Sequence, residues 1–393
     1  MGPPLLLCAL WYLLWHGVLA DARITDVFVY ESYARSLAAG LTPYSPAFPL
    51  EYPPLALVPM WLARELGGEA SFELAFGLLM GACALATLAG VARLGGPRAA
   101  WLFALMPALA GAVLRTHFDL LAAALLVAAL WAVAARRPVL AFALLGVGAM
   151  TKLFPAVLVP VLVAWMAGRG EWRRALVCVA VFAAVVLAIS APFLGGGYAD
   201  SYRFHLDRPI QVESTPAVVL YALGGARVTG TTTTPDAYKS NGLVGGAADA
   251  VRAVFTALGL LAIALIAWLA WRRAQTEEDA LVCCAAAVVA FVALNKVLSP
   301  QYVAWLAPLA ALCLAWRCRA AAVLLVAAIA LTQVEFPRRY ALLVEGDAAT
   351  RLIVAARDLV LLAALGALIA RAAGAARSPA PGAAAARSGS APP

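Results

Sequence analysis

Charge is what this sequence has least of. Aspartate, glutamate, lysine and arginine make up 13% of its 393 residues, while 64% are hydrophobic. A soluble domain carries about 25% charged residues, so a water-soluble globular fold is excluded. Nor does any ten-residue stretch alternate apolar and polar positions as a membrane-barrel strand would. Lipid cannot satisfy free backbone groups, which leaves spanning helices as the building block. The first apolar run, residues 4–20, lacks the basic start of a secretory signal and is read as an uncleaved first span. A Walker-type phosphate loop, a zinc spacing and a serine nucleophile elbow are all missing. The seven cysteines lie in apolar runs or beside a short basic loop, never in the long polar loops. That excludes a disulfide framework and makes them small packing residues.

What is present is a series of helix-length apolar runs. They lie near 4–20, 69–92, 99–114, 119–135, 138–150, 153–168, 175–194, 251–271, 280–294, 302–316, 320–334 and 351–371. These predict an all-α polytopic membrane protein with about 12 transmembrane helices. Several runs fall short of the ~20 residues needed to cross, so some must borrow neighbours, tilt or be re-entrant. The connectors alternate in character. The short set (93–98, 136–137, 169–174, 271–279, 316–319 and the tail from Arg371) holds 14 basic and 4 acidic residues. The longer set holds 14 basic and 16 acidic residues, so the positive-inside rule places the short set and both termini in the cytoplasm. The chain thus divides into a membrane domain, 1–371, and a Pro/Ala/Ser-rich cytoplasmic tail, 372–393, expected to be disordered. The formal charge of +8 is spread over loops rather than gathered on one face, and no nucleic-acid partner is expected. The partners expected instead are membrane lipids, and the location is the plasma membrane with its polar chemistry outside.

The first outer loop, 21–68, is the most polar stretch of the N-terminal half. Residues 26–39 suit an amphipathic helix on which Asp26, Tyr30, Tyr33 and Leu37 share one stripe. Gly40 is a natural stop, and Leu55–Leu66 reads as an interfacial or re-entrant helix. Two readings stand for Asp26. It can act as a general base on a sugar hydroxyl while the tyrosines pack on the ring. Equally, it can cap the helix while the tyrosines form an interfacial belt.

The pattern D-x-x-V-Y-x-x-Y-A-x-x-L-x-x-G-x-x-P-Y, running from Asp26 to Tyr44, is followed by Glu51-Tyr52-Pro53-Pro54. Together with THFDLLAAALL (116–126), TKLFP (151–155) and NKVLSPQYVAWLAP (295–308), it resembles glycosyltransferase family 87. The likeness spans roughly residues 20–335. It implies the glycosyltransferase-C fold and an enzyme like the actinobacterial polyprenyl-phosphate-mannose-dependent mannosyltransferases. It implies Asp26 as the base that deprotonates an acceptor hydroxyl for inverting attack on a lipid-phosphate sugar, most often mannose. Tyr30, Tyr33, Glu51 and Tyr52 would then line the sugar or acceptor site.

Such a donor gives a reason for cations at the outer membrane level, because its leaving group is a phosphate anion. Lys152, Lys296, Arg338 and Arg339 are the candidates, against ordinary snorkelling or ion pairing. In Arg115-Thr116-His117-Phe118-Asp119, His117 can assist proton transfer or orient the acceptor, or be a satisfied interfacial histidine. Asp119 can serve the sugar or acceptor site, or pair with Arg115 or hold an inter-helix contact. Gln301 and Tyr302 can bind sugar or phosphate, or merely follow the Pro300 cap. The large outer loop, 195–250, suits acceptor recognition through Tyr202, His205, Asp207 and Arg208. The D-x-D pair of metal-dependent nucleotide-sugar enzymes is absent, so no metal and no cofactor is expected, only a polyprenyl-phosphate sugar and a glycan or glycolipid acceptor. Two other classes stay compatible with the residues. One is a lipid-linked-sugar transporter or flippase, for which Arg357-Asp358 is the only mid-span charge pair and inverted repeats are not evident. The other is a non-catalytic assembly protein of the cell envelope.

Overall fold

The computed structural model describes residues 2–229 and 240–374. The polar stretch 230–239 and the tail from 375, with its expected disorder, lie outside the described residues.

The chain begins with α1 (Pro3–Leu13), a helix with proline in its first turn. The apolar run continues past it without remaining α-helical, and Gly17 takes φ +75°. Next, α2 (Val27–Ala38) starts directly after Asp26. It stops at Gly40, whose φ of +75° lets Gly40 N bond Leu37 O while Leu41 N bonds Ser36 O. That is the paired closure a glycine stop provides. An extended stretch leads to α3 (Leu57–Gly67), which packs on α2 and on α4 (Phe72–Ala104). Gly96 (φ +70°) and Pro97 break α4, so the next segment begins with proline in its first turn. Two short helices, α5 (Met106–Ala110) and α6 (Val113–Thr116), bring the chain back to the end where α4 starts.

The bundle continues through α7 (Asp119–Ala134), α8 (Pro138–Thr151), α9 (Leu158–Gly168) and α10 (Trp172–Ser190). The large outer loop then folds into α11 (Tyr198–Asp207), β1 (Ile210–Gln211), α12 (Thr215–Leu223), β2 (Arg227–Val228) and β3 (Gly242–Val244). The strands form a small antiparallel sheet in the order β1-β3-β2, with Ile210 opposite Leu243 and Arg227 opposite Val244. This sheet corrects the all-α expectation, and strands of two or three residues leave no periodicity to read. The chain ends with α13 (Ala248–Arg273), α14 (Glu277–Leu294), α15 (Val303–Ala315), α16 (Arg319–Glu335), α17 (Tyr340–Glu345) and α18 (Ala348–Ala373).

Among the described residues, four helical segments are long and apolar enough to cross a membrane: Phe72–Ala104, Trp172–Phe193, Ala248–Arg273 and Ala348–Ala373. The other apolar helices are shorter; at about 1.5 Å per residue, a helix like α8 does not cover a ~30 Å hydrocarbon layer alone. The run at 99–114 is divided among three helices, with Gly111 at φ +68°. Burial sorts the bundle radially. In α14 and α15 nearly every face is buried, whereas α10 and α13 leave Leu176, Leu187, Leu260, Leu261 and Trp268 exposed. Helices that are apolar all round belong in the core, and large exposed leucines on the periphery suit lipid. The protein is a membrane protein.

At the basic end, the acids are tied up by arginines. Arg136 meets Glu277 at 3.0 Å, Arg371 meets Asp279 at 3.3 Å, and Arg169 meets Glu171 at 3.2 Å. Thr276 and Asp279 form a reciprocal cap on α14 there. The opposite end gathers the polar residues of the long connectors around one cavity.

Candidate active site

A cavity of about 440 Å³ opens where the ends of α6, α8, α14 and α16 meet the first outer loop and β1. Asp26, Glu51, Tyr52, His117, Lys152, Lys296, Gln301 and Tyr302 all line it, although they are scattered over 277 positions of chain. Each lies in a connector or at a helix end, before α2, α3 or α15 or after α6, α8 or α14, which is why separate motifs converge.

Asp26 keeps its carboxylate about one-third exposed. It stands at the N-terminus of α2 without capping it. Instead Tyr30 Oη donates to Asp26 Oδ2 at 3.4 Å, and His117 Nε2 lies 3.5 Å from the same oxygen. The other ring nitrogen, His117 Nδ1, is 3.2 Å from Val113 O and 3.0 Å from Thr116 Oγ1. A carbonyl can only accept, so Nδ1 carries the proton and Nε2 is the nitrogen turned to Asp26. The pair is therefore arranged for a carboxylate to take a proton with an imidazole behind it.

The tyrosine stripe forms, but it faces protein. Tyr30 and Tyr33 are buried and do not line the cavity. Tyr30 packs against Phe76 and Phe118 at ring separations of 5.3 and 5.5 Å, and Tyr33 against Phe48 at 5.6 Å. Of the first-loop aromatics singled out from the sequence, Tyr52 reaches the cavity, and its carbonyl accepts from Tyr44 Oη at 2.8 Å.

The cations sort differently from the sequence expectation. Lys152 Nζ is clasped by both oxygens of Asp119, at 2.7 and 2.9 Å, and Asp119 is buried off the cavity wall. Arg115, the expected partner of Asp119, bonds Glu73 at 2.6 Å and Leu14 O at 2.9 Å and lies over the Trp15 ring. Lys152 is thus neutralised, with the rings of Phe118 and Trp305 4.7 and 5.4 Å from its ammonium. Breaking a buried pair by removing one partner costs about 3–5 kcal/mol. Lys152→Met is accordingly expected to lower the thermal midpoint of the detergent-solubilised protein sharply, and Lys152→Met with Asp119→Leu to recover most of it.

Arg338 and Arg339 do not line the cavity. Arg338 reaches Asp21 at 3.3 Å, and Arg339 bonds Thr350 Oγ1 at 3.2 Å beside Asp347. The cations on the wall besides Lys152 are Arg208 and Lys296. Arg208 Nη2 donates to Ser240 at 2.5 Å, while Arg208 Nε is buried with no partner among the described residues. Lys296 donates to Leu206 O, and burial, followed by the nearby Arg252 and Arg208, holds its ammonium down to about 8. His205 also faces the cavity, but it is a neutral tie: its Nε2 bonds Glu51 O at 2.8 Å, and burial first of all pulls its pKa down to about 4. Tyr202 and Asp207 stay off the wall. Stacked rings make part of that wall, with Trp305 3.9 Å from Tyr302 and 3.8 Å from Phe154. Among the described residues, no group of three or more His, Cys, Asp or Glu side chains is arranged to hold a metal ion.

The sequence profile of glycosyltransferase family 87 matches residues 50–300, well over half of the chain. The chain belongs to glycosyltransferase family 87. Membership makes it a glycosyltransferase and implies a lipid-linked sugar donor and a glycan or lipid acceptor. The matched segment holds Glu51, His117, Lys152, Arg208 and Lys296 and begins after Asp26. No curated protein matches the sequence. Among solved structures, the apo form of ArnT from Cupriavidus metallidurans is similar at 18% identity and a TM-score of 0.46, covering 94% of this chain and 77% of that one.

Sequence reasoning passed over several cavity residues of this family 87 enzyme. Gln211, Glu213, Asn241, Trp305 and Tyr340 all line the site. Gln211 and Glu213 lie in HLDRPIQVEST, where only tertiary folding tells a buried polar residue from a solvated one. A local signal did exist: Ser214-Thr215-Pro216 reads as a helix start, with Pro216 in the first turn of α12. That start holds the preceding turn against the core.

Proposed function

We propose that this enzyme transfers a hexose, most readily mannose, from a polyprenyl phosphate to a glycan or glycolipid acceptor at the extracytoplasmic face of the plasma membrane. The observation that carries the reading is one cavity wall bearing an accessible carboxylate, Asp26, together with two cations, Arg208 and Lys296. Asp26 accepts the proton of the acceptor hydroxyl as that oxygen attacks the anomeric carbon. The carbon–oxygen bond to phosphate breaks, and polyprenyl phosphate departs with the bonding pair, so configuration inverts. Arg208 and Lys296 offset the charge growing on the phosphate oxygens, electrostatic stabilisation that is worth most in a partly water-excluded site. His117 Nε2 gives the proton on Asp26 a second seat before it leaves to solvent. The direct test is transfer from radiolabelled polyprenyl-phosphate mannose to glycolipid acceptors by the purified full chain. Bare polyprenyl phosphate should compete, nucleotide sugar should not serve as donor, and EDTA should leave the rate unchanged. Transfer from nucleotide sugar alone would overturn the reading.

A pH dependence follows from Lys296. Its charge is present below pH about 8 and lost above it, so kcat/KM for the donor should fall as pH rises through 8. Lys296→Arg, which stays charged, should remove that descending limb. A pH profile of kcat/KM for both forms checks this.

A further inference from the structure

A run of buried polar groups reaches the cavity, and several of its atoms, Gln211 Oε1 among them, have no partner among the described residues. It starts in α18, where Arg357 Nε bonds Asp358 at 2.8 Å and both side chains are buried. Arg357 also donates to the backbone carbonyl of Glu213, in the turn between β1 and α12. A second buried carboxyl, Glu335, lies near that of Glu213, and Glu213 Oε1 and both Glu335 oxygens have no hydrogen-bond partner among the described residues. Burial, and then the nearby Glu335, push the Glu213 carboxyl well above the usual carboxylate range. The remaining oxygen, Glu213 Oε2, accepts from Gln211 Nε2 at 2.9 Å. In this arrangement the Gln211 amide turns Nε2 toward Glu213 and Oε1 away from it. Its other end, Oε1, is buried with no partner among the described residues, and Gln211 lies on the cavity wall at 3% exposure.

A buried carbonyl oxygen left without a donor costs about 1–3 kcal/mol, and among the unpartnered atoms of this network Gln211 Oε1 and Glu213 Oε1 are the ones on residues that line the cavity, where a ligand can reach them. The natural complement is a hydroxyl. The backbone bears on where that hydroxyl comes from: Gln211 N donates to Lys296 O at 2.9 Å, which sets residue 211 beside the residue proposed to meet the phosphate, to which the sugar ring is bonded.

We infer that Gln211 is a specificity-determining residue whose Oε1 accepts a hydrogen bond from a ring hydroxyl of the lipid-linked sugar, with Glu213 as the positioning residue that orients its amide. This rests on the lipid-phosphate reading above and adds the part of the wall that reads the sugar rather than the phosphate. It also gives the fully buried Arg357-Asp358 pair a role in holding the turn, without a transport pathway.

The test is equilibrium binding of two ligands to the full chain in detergent: polyprenyl-phosphate mannose and bare polyprenyl phosphate. The parent should prefer the sugar-bearing lipid roughly tenfold, the worth of one such hydrogen bond. Gln211→Ala should bring that preference to within about twofold while affinity for bare polyprenyl phosphate is unchanged, which also reports an intact fold. Glu213→Gln, isosteric but with an amide where the carboxyl oriented its neighbour, should weaken the preference in the same direction and leave bare-lipid affinity alone. If both lipids bind and the preference survives Gln211→Ala, the inference is overturned while the lipid-phosphate reading stands. If Gln211→Ala changes only the KM for acceptor, the amide serves the acceptor and the inference is equally overturned. Binding of neither lipid would remove the reading on which it depends.

Discussion

Asp26→Asn should lower kcat by about 10³-fold while leaving the affinity for donor within a few-fold of the parent. The substitution keeps the shape of the side chain and its contacts with Tyr30 and His117, at 3.4 and 3.5 Å, but removes the lone pair that takes the proton. A loss confined to kcat marks an interaction made only in the transition state. Glu51 supplies the comparison, because it is a second carboxylate on the same wall. Glu51→Gln is expected to act on acceptor KM rather than on kcat. Single-turnover transfer with each variant separates the two, and the opposite pattern would make Glu51 the base. Tyr30→Phe should cost far less than either, since its 3.4 Å contact with Asp26 is long for a hydroxyl–carboxylate bond.

The second large effect is expected at the phosphate. Arg208→Ala should reduce kcat/KM for the donor by about 10²–10³-fold, and Lys296→Ala by a comparable factor, the usual cost of one charge-stabilising group. Arg208 is the sharper case because its Nε is buried and without a partner among the described residues, ready for a phosphate oxygen. Arg208→Lys should recover only part of the loss, since an ammonium cannot reproduce two parallel N–H bonds. Lys152→Met, by contrast, is expected to act through stability: its charge is already spent on Asp119. Donor titrations at fixed acceptor, set beside thermal midpoints, distinguish the two kinds of loss.

How far the sequence went is clearest at Asp26 and at the cations. Charge asymmetry between connectors sorted the helix ends into two sets, and so told which residues share a level. That is enough to bring Asp26, Glu51, His117, Lys152, Lys296, Gln301 and Tyr302 to one cavity. The stop at Gly40 and the start of α2 were equally legible, because glycine at φ +75° and a 3.6-residue stripe are local features. Azimuth around the bundle is not local. Whether Lys152 is free or clasped by Asp119 depends on how α7 and α8 are rotated against each other, and one sequence holds no record of that angle. The same ignorance put Arg338 and Arg339 among the phosphate ligands and left Arg208 with the acceptor. Tyr30 and Tyr33 show a related limit, for a stripe says that one face is special without saying whether it meets substrate or Phe76 and Phe48. The turn carrying Gln211 and Glu213 was illegible for a third reason: strands of two or three residues are stabilised by what they pack on, not by their own pattern.

The measurement that bears most directly on the whole account is the anomeric configuration of the product formed from polyprenyl-phosphate hexose by the purified full chain, read by NMR. A single carboxylate base and a phosphate leaving group held by Arg208 and Lys296 predict one displacement and a product of inverted configuration, with no product from Asp26→Asn on the same time scale. A product of retained configuration, or an inverted product formed equally fast without Asp26, would contradict it.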